Sequence, residues 1–100
     1  MLFANKIREL RESKQMLQRH ISAALDIDNA MYCKIERGDR RAKREQVPII
    51  AEILQTNSEE LLTLWLADQV IVVMAGDKEK TDKVLNIVKE IVNNKELLWK

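Results

Sequence analysis

One hundred residues, 46% of them hydrophobic and 33% charged, with two glycines and one proline, describe one small domain, or one domain with an added arm, built from helices. The net charge of +1 hides an asymmetry: residues 1–44 carry eleven Lys/Arg and six Asp/Glu, and residues 45–100 carry six and ten. A polyanion partner is therefore expected on the first half only, and the acidic second half argues against non-specific coating of nucleic acid. The single cysteine, Cys33, excludes an intrachain disulfide and a Cys-based metal cluster.

Residues 1–20 show no signal-peptide pattern, and the longest apolar run, 70–75, falls far below the ~20 residues of a membrane-spanning helix. The expectation is a cytoplasmic protein with no membrane partner.

In chain order, Leu2, Phe3, Ile7 and Leu10 recur at helical spacing and predict a helix over 2–13. A second short helix is predicted over 18–25, burying Ile21, Ala24 and Leu25. Asp26 interrupts it, and Asp tolerates the left-handed conformation of a tight turn. Ile27 plugs that turn. Asp28 is a good N-cap for a third helix over 29–37, which turns Tyr32 and Ile35 inward, and Gly38 stands where a left-handed C-terminal cap belongs. Residues 39–44 read as a basic loop.

A fourth helix is expected over about 45–55, with Pro48 in its first turn and Ile49, Ile50, Ile53 and Leu54 buried. Ser58 is read as the N-cap of a long helix to about residue 75, with Glu59 and Glu60 favourable in the first turn. Its apolar residues cover more than one face. The β-branched run at 70–73 has no partner strand, so helix is favoured there. After a break at Gly76 and Asp77, Val84, Ile87, Val88, Ile91 and Val92 stripe an amphipathic helix over 78–94, and Leu97, Leu98 and Trp99 end the chain as an apolar tail.

Two short helices joined by a tight turn, with Ile21, Leu25, Ile27, Tyr32 and Ile35 apolar at the crossing and Ser22 small there, form a helix-turn-helix arrangement. The stretch "LQRHISAALDIDNAMYCKIERGDR" resembles the lambda-repressor-like (Cro/cI-type) helix-turn-helix family. Gln18 matches the glutamine that opens the family's second helix, Ser22 its small residue, and Ile35, Glu36, Arg37 and Gly38 its "I-E-x-G" ending. Asp26 stands where the family often has Gly. The match covers about residues 5–66, and the short length and "IERGDR" are most similar to controller proteins of restriction–modification systems. The segment after residue 75 exceeds their usual length.

The resemblance implies an all-α, lambda-repressor-like five-helix DNA-binding domain (1–66). An extended fifth helix and an additional C-terminal helix make a helical extension (67–100) beyond it, expected to serve dimerisation by extending the interface or by exchanging onto the partner. The resemblance also implies base contacts from Asn29, Ala30, Met31 and Lys34 on the recognition helix, and from Arg40 just past it. Their chemistry suits that role: Asn pairs with adenine, Lys donates to guanine, and Ala and Met meet thymine methyls. Arg37, Arg41, Lys43 and Arg44 flank that helix where phosphates would pass, with Gln18 and Arg19 at the start of the second helix on the other side. A solvated basic loop is the plainer reading, with some charges paired to Asp39 or Glu45. The family also implies a structural ion pair between Arg11 and Glu36.

One recognition helix reads few base pairs, so a homodimer on a palindromic double-stranded operator is expected. Its interface is assigned to Leu61, Leu64, Trp65, Ala67, Asp68 and Ile71, with Trp65 alternatively capping the monomer core. His20 stands alone and makes no metal site. No nucleophile–base pair, acid pair or phosphate-binding glycine loop occurs, so neither an enzyme nor a cofactor or small-molecule ligand is expected. The expected function is sequence-specific transcriptional regulation as a restriction–modification controller. A phage-type repressor or an antitoxin is the alternative within DNA binding, and a protein-interaction module the alternative outside it.

Overall fold

The computed structural model describes residues 1–94, and among them all regular structure is helical. The chain divides into two compact units, Met1–Gln69 and a second that begins at Val70. The expected tail of Leu97, Leu98 and Trp99 lies outside the described residues.

The first unit contains α1 (Leu2–Ser13), α2 (Gln18–Leu25), α3 (Asn29–Arg37), α4 (Gln46–Leu54) and most of α5 (Ser58–Met74). The first three match the sequence expectation at both ends, because each is bounded by a local signal. Gln15 turns left-handed (φ 56°) after α1, and Met16 N–H donates to the Arg11 carbonyl. Asp26 ends α2 in the same conformation, φ 56° and ψ 44°. The Asp28 carboxylate caps α3 by accepting from Met31 N–H at 3.0 Å. Gly38 ends α3 at φ 80°, a left-handed conformation that favours glycine, and a Cβ there would lie a tight 3.3 Å from Met1 Cγ.

The core joins Phe3 and Ile7 of α1, Ile21 of α2, Tyr32 and Ile35 of α3, Val47, Ile50, Ala51 and Leu54 of α4, and Leu61 of α5. Leu10, Leu25, Ile27, Ile53 and Trp65 pack against it half-buried. The buried stripe of α4 is thus rotated from the one expected: Val47 and Ala51 are inside, while Ile49 is 39% exposed. Ala24 of α2 is exposed as well. An isoleucine run has no phase of its own, so the neighbouring helices decide which members are covered.

Two further expectations are corrected. Asn57, not Ser58, caps α5: its Oδ1 accepts from Glu60 N–H at 2.9 Å. Asp68, assigned to a dimer interface, is buried, and its carboxylate accepts from Leu2 N–H (2.9 Å) and Phe3 N–H (3.0 Å). A carboxylate from α5 therefore supplies the side-chain cap that α1 lacks in its own sequence, since Met1 precedes it without one.

The second unit holds the end of α5, a 3-10 turn at Lys78–Lys80 and α6 (Thr81–Asn93). The run 70–73 is helical, and the single helix expected over 78–94 begins instead with the 3-10 turn. None of the described helices is long and apolar enough to cross a membrane.

Replacing Asp68 with Ala leaves the first N–H groups of α1 buried or half-buried without an acceptor. We expect a loss of about 1–3 kcal/mol, read as a lowered midpoint in urea unfolding of the full chain.

Candidate nucleic-acid interface

The helix-turn-helix pair α2 and α3 is held together by a polar network. Arg11 on α1 reaches Glu36 on α3 in a two-pronged pair, Nε to Oε2 at 2.7 Å and Nη2 to Oε1 at 3.0 Å. Its remaining Nη1 donates to the Met16 carbonyl at 2.9 Å, fixing the α1–α2 turn. Gln18, the first residue of α2, donates from Nε2 to Glu36 Oε1 at 3.2 Å and accepts from the Cys33 thiol at 2.9 Å. The pair expected from sequence is present, and it is the centre of a network spanning three helices.

The network sets the charge of Glu36. Burial pushes its carboxyl up, but the Arg11 hydrogen bonds, with the nearby Tyr32 hydroxyl and the Gln18 amide behind them, outweigh burial and hold it below the usual carboxylate value. Arg11 is raised in turn, chiefly by its hydrogen bonds to Glu36. Burial, and then the Glu36 charge, push the Tyr32 phenol far up, so it stays protonated.

The network also leaves one side of α3 free. Tyr32, Ile35 and Glu36 face inward, while Asn29, Ala30, Lys34 and Arg37 are exposed and Met31 is half-buried. Asn29 sits in the first turn of α3, where its Oδ1 accepts a long 3.4 Å bond from the Ser22 hydroxyl. Arg19, in the first turn of α2, is exposed.

Beyond Gly38 the basic segment runs over the surface. Arg40, Arg41, Lys43 and Arg44 are all exposed, and Ala42 between them is buried (2%). The Ala42 carbonyl accepts from Trp65 Nε1–H at 2.8 Å. The Lys43 N–H donates to Gln46 Oε1 at 2.8 Å, which ties the loop's end to α4. The loop is therefore pinned from below while its cations face solvent. Ala42 was not singled out from sequence, although a lone apolar residue inside a basic run was a legible signal for an anchor.

Several site expectations are revised by these placements. Gln18 is half-buried and occupied by Glu36 and Cys33, so it supports α3 instead of facing outward for a phosphate. Arg37 forms an exposed pair with Asp39, Nε to Oδ2 at 3.1 Å, as the plainer reading of the basic loop allows. Of the six residues assigned to a dimer interface, Leu61 is a core residue, Asp68 caps α1, and Leu64 and Trp65 pack against the core. Ala67 is half-buried, and Ile71 alone of the six is exposed. The alternative reading of Trp65, as a cap on the core, is the one its geometry supports.

His20 acts locally, its Nδ1 accepting from Leu17 N–H at 3.0 Å at the start of α2. No group of three or more potential metal-ligating side chains occurs among the described residues. Comparisons with protein-family models, with curated proteins and with solved structures find no match to this chain.

The direction of the Glu36 shift fixes a pH dependence. A carboxyl held below its unfolded value of about 4.3 contributes stability that is complete above that pH and is lost as pH falls through the lower folded value. Urea midpoints of the parent should therefore drop as pH is lowered from about 5 toward 3. Glu36→Gln should lose most of that acid-dependent component and be about 3 kcal/mol less stable at pH 7, because the Arg11 charge is left without its partner.

Proposed function

We propose that this chain is a sequence-specific DNA-binding transcriptional regulator of the lambda-repressor-like helix-turn-helix type, acting as a homodimer on a palindromic operator. The observation that carries the reading is the exposed face of α3, with Asn29, Ala30 and Lys34, continuing into a pinned loop that presents Arg40, Arg41, Lys43 and Arg44. A helix of nine residues with one free side is of a size to enter a major groove. Asn29 and Lys34 would read base edges, and Ala30 and the half-buried Met31 would meet thymine methyls. Arg19, Arg41, Lys43 and Arg44 would neutralise phosphates on either side, and Arg40 would reach toward bases from the loop.

Within that class, the resemblance of the "IERGDR" segment supports a controller protein of a restriction–modification system, with a phage-type repressor or an antitoxin as the neighbouring assignment. The controller assignment rests on sequence likeness, and the DNA-binding reading on the charge and exposure of α3 and its loop. A protein-interaction module would draw support from the exposed apolar residues of the second unit, but it leaves the outward cations of residues 40–44 unexplained.

Selection of bound duplexes from a random DNA pool, repeated at two salt concentrations, tests the proposal. A palindromic motif with half-sites about one helical turn apart supports it. Binding that is salt-sensitive but enriches no motif would reduce the basic loop to an electrostatic patch and remove the reading. On the selected site, Asn29→Ala should cost about 1–3 kcal/mol and relax preference at one base position. Arg41→Ala should weaken binding to all sequences alike and lower the salt slope by about 1.

A further inference from the structure

A chain of polar side chains runs from the Arg11–Glu36 pair to the outward side of α3, and its donors and acceptors all point one way. Glu36 is ionised and paired with Arg11, so its oxygens only accept. Gln18 must therefore turn its NH2 group to Glu36 (Nε2 to Oε1, 3.2 Å), which leaves its own Oε1 facing Cys33. That oxygen also only accepts, so the Cys33 thiol commits its one hydrogen to it, at 2.9 Å. The sulfur then has only lone pairs for its other neighbour, Asn29, whose Nδ2 donates to it across a long 3.9 Å.

Asn29 is tethered at its other end as well, where Oδ1 lies 3.4 Å from the Ser22 hydroxyl. Ser22 does not choose a direction for the amide. A hydroxyl both donates and accepts, and the Arg19 carbonyl stands at 3.3 Å as a second acceptor for its hydrogen. The sulfur does choose: with the amide turned over, Oδ1 would face lone pairs and gain no hydrogen. Both tethers are long, so they set direction and add little stability.

We infer that Cys33 is a positioning residue for base choice, fixing the direction in which the Asn29 amide faces the major groove. The inference rests on the DNA-binding reading above and names what sets specificity within it. A carboxamide has two N–H groups and two acceptor lone pairs. One N–H goes to Cys33 and one lone pair to Ser22, so one donor and one acceptor remain, in a fixed order. Adenine presents one acceptor, N7, beside one donor, the N6 amino group. An amide free to turn over would present its pair in reverse and lose that match. Cys33 is half-buried and Asn29 exposed, so the thiol acts through the amide.

Two measurements test the inference. In NMR of the full chain without DNA, the Asn29 side-chain amide protons should give stronger NOEs to the Cys33 β-protons than to those of Ser22. NOEs that are equal, or stronger to Ser22, overturn the inference and leave the DNA-binding reading standing. This measurement uses the parent alone and needs no variant to fold.

The second repeats the duplex selection with Cys33→Ala and Cys33→Ser. At the base position that Asn29→Ala relaxes, Cys33→Ala should lower the preference for adenine about tenfold. Affinity for unrelated duplex and its salt slope should stay those of the parent, since no phosphate contact is touched. Cys33→Ser keeps a donor for Gln18 and an acceptor for Asn29, and should keep the parent's preference. An undiminished preference in Cys33→Ala overturns the inference, as does an equal loss in both variants or a fall in affinity for all duplexes alike. A parent that selects no motif removes the DNA-binding reading, and the role in base choice with it, even where the NOEs are as expected.

Discussion

The first unit depends on the contact between Arg11 and Glu36. A guanidinium has a planar fork of donors, and here each of its three nitrogens donates once: two to the carboxylate of α3 and one to the carbonyl of Met16. Glu36 is 2% exposed and would be costly to bury alone. The pairing is therefore nearly obligatory once α3 packs in this orientation. Gln18 extends the constraint to α2, and the Cys33 thiol returns it to α3. Three helices are registered against one another by polar contacts, which are directional, while apolar packing of Ile7, Ile21, Tyr32 and Ile35 supplies most of the driving force.

That division of labour explains which side of α3 is left free. With its inner side committed to Tyr32, Ile35 and Glu36, the helix has Ala30, Lys34 and Arg37 facing away from the core by periodicity alone. The loop beyond it follows the same logic on a smaller scale. One buried alanine and one indole hydrogen bond hold the backbone, and four cations point to solvent. Such pinning lowers the ordering cost that a free basic loop would meet on engaging a polyanion.

The use of α5 shows how a helix with apolar residues on several sides distributes them. Leu61 enters the core, Trp65 reaches across to the Ala42 carbonyl, and Asp68 turns to the start of α1. Each of these contacts removes a residue from the set that a sequence pattern alone would assign to a partner surface. The apolar surface left over lies at 70–73 and along α6, where no residue of α6 is buried.

Much of this was legible before any coordinates. The ends of α1, α2 and α3 follow from local chemistry: Asp26 and Gly38 accept left-handed backbone, and Asp28 caps from one residue outside the helix. The helical class, the inward positions of Tyr32 and Ile35, and the Arg11–Glu36 pair, which came from family likeness, were likewise expected. The role of Gln18, the anchoring of Ala42 and the cap that Asp68 provides were not. Asp68 and Leu2 stand sixty-six positions apart, so their contact is a property of how α5 passes α1 and leaves no periodic trace in either segment. The face of α4 was misread for a related reason: in a run such as residues 47–50, hydrophobicity says that something is buried, and only the neighbours select which. The sequence by itself determined the elements whose signals lie within one helical turn. The tertiary structure decided every pairing whose partners are distant in the chain, because a hydrogen bond between remote groups depends on packing that no local window contains.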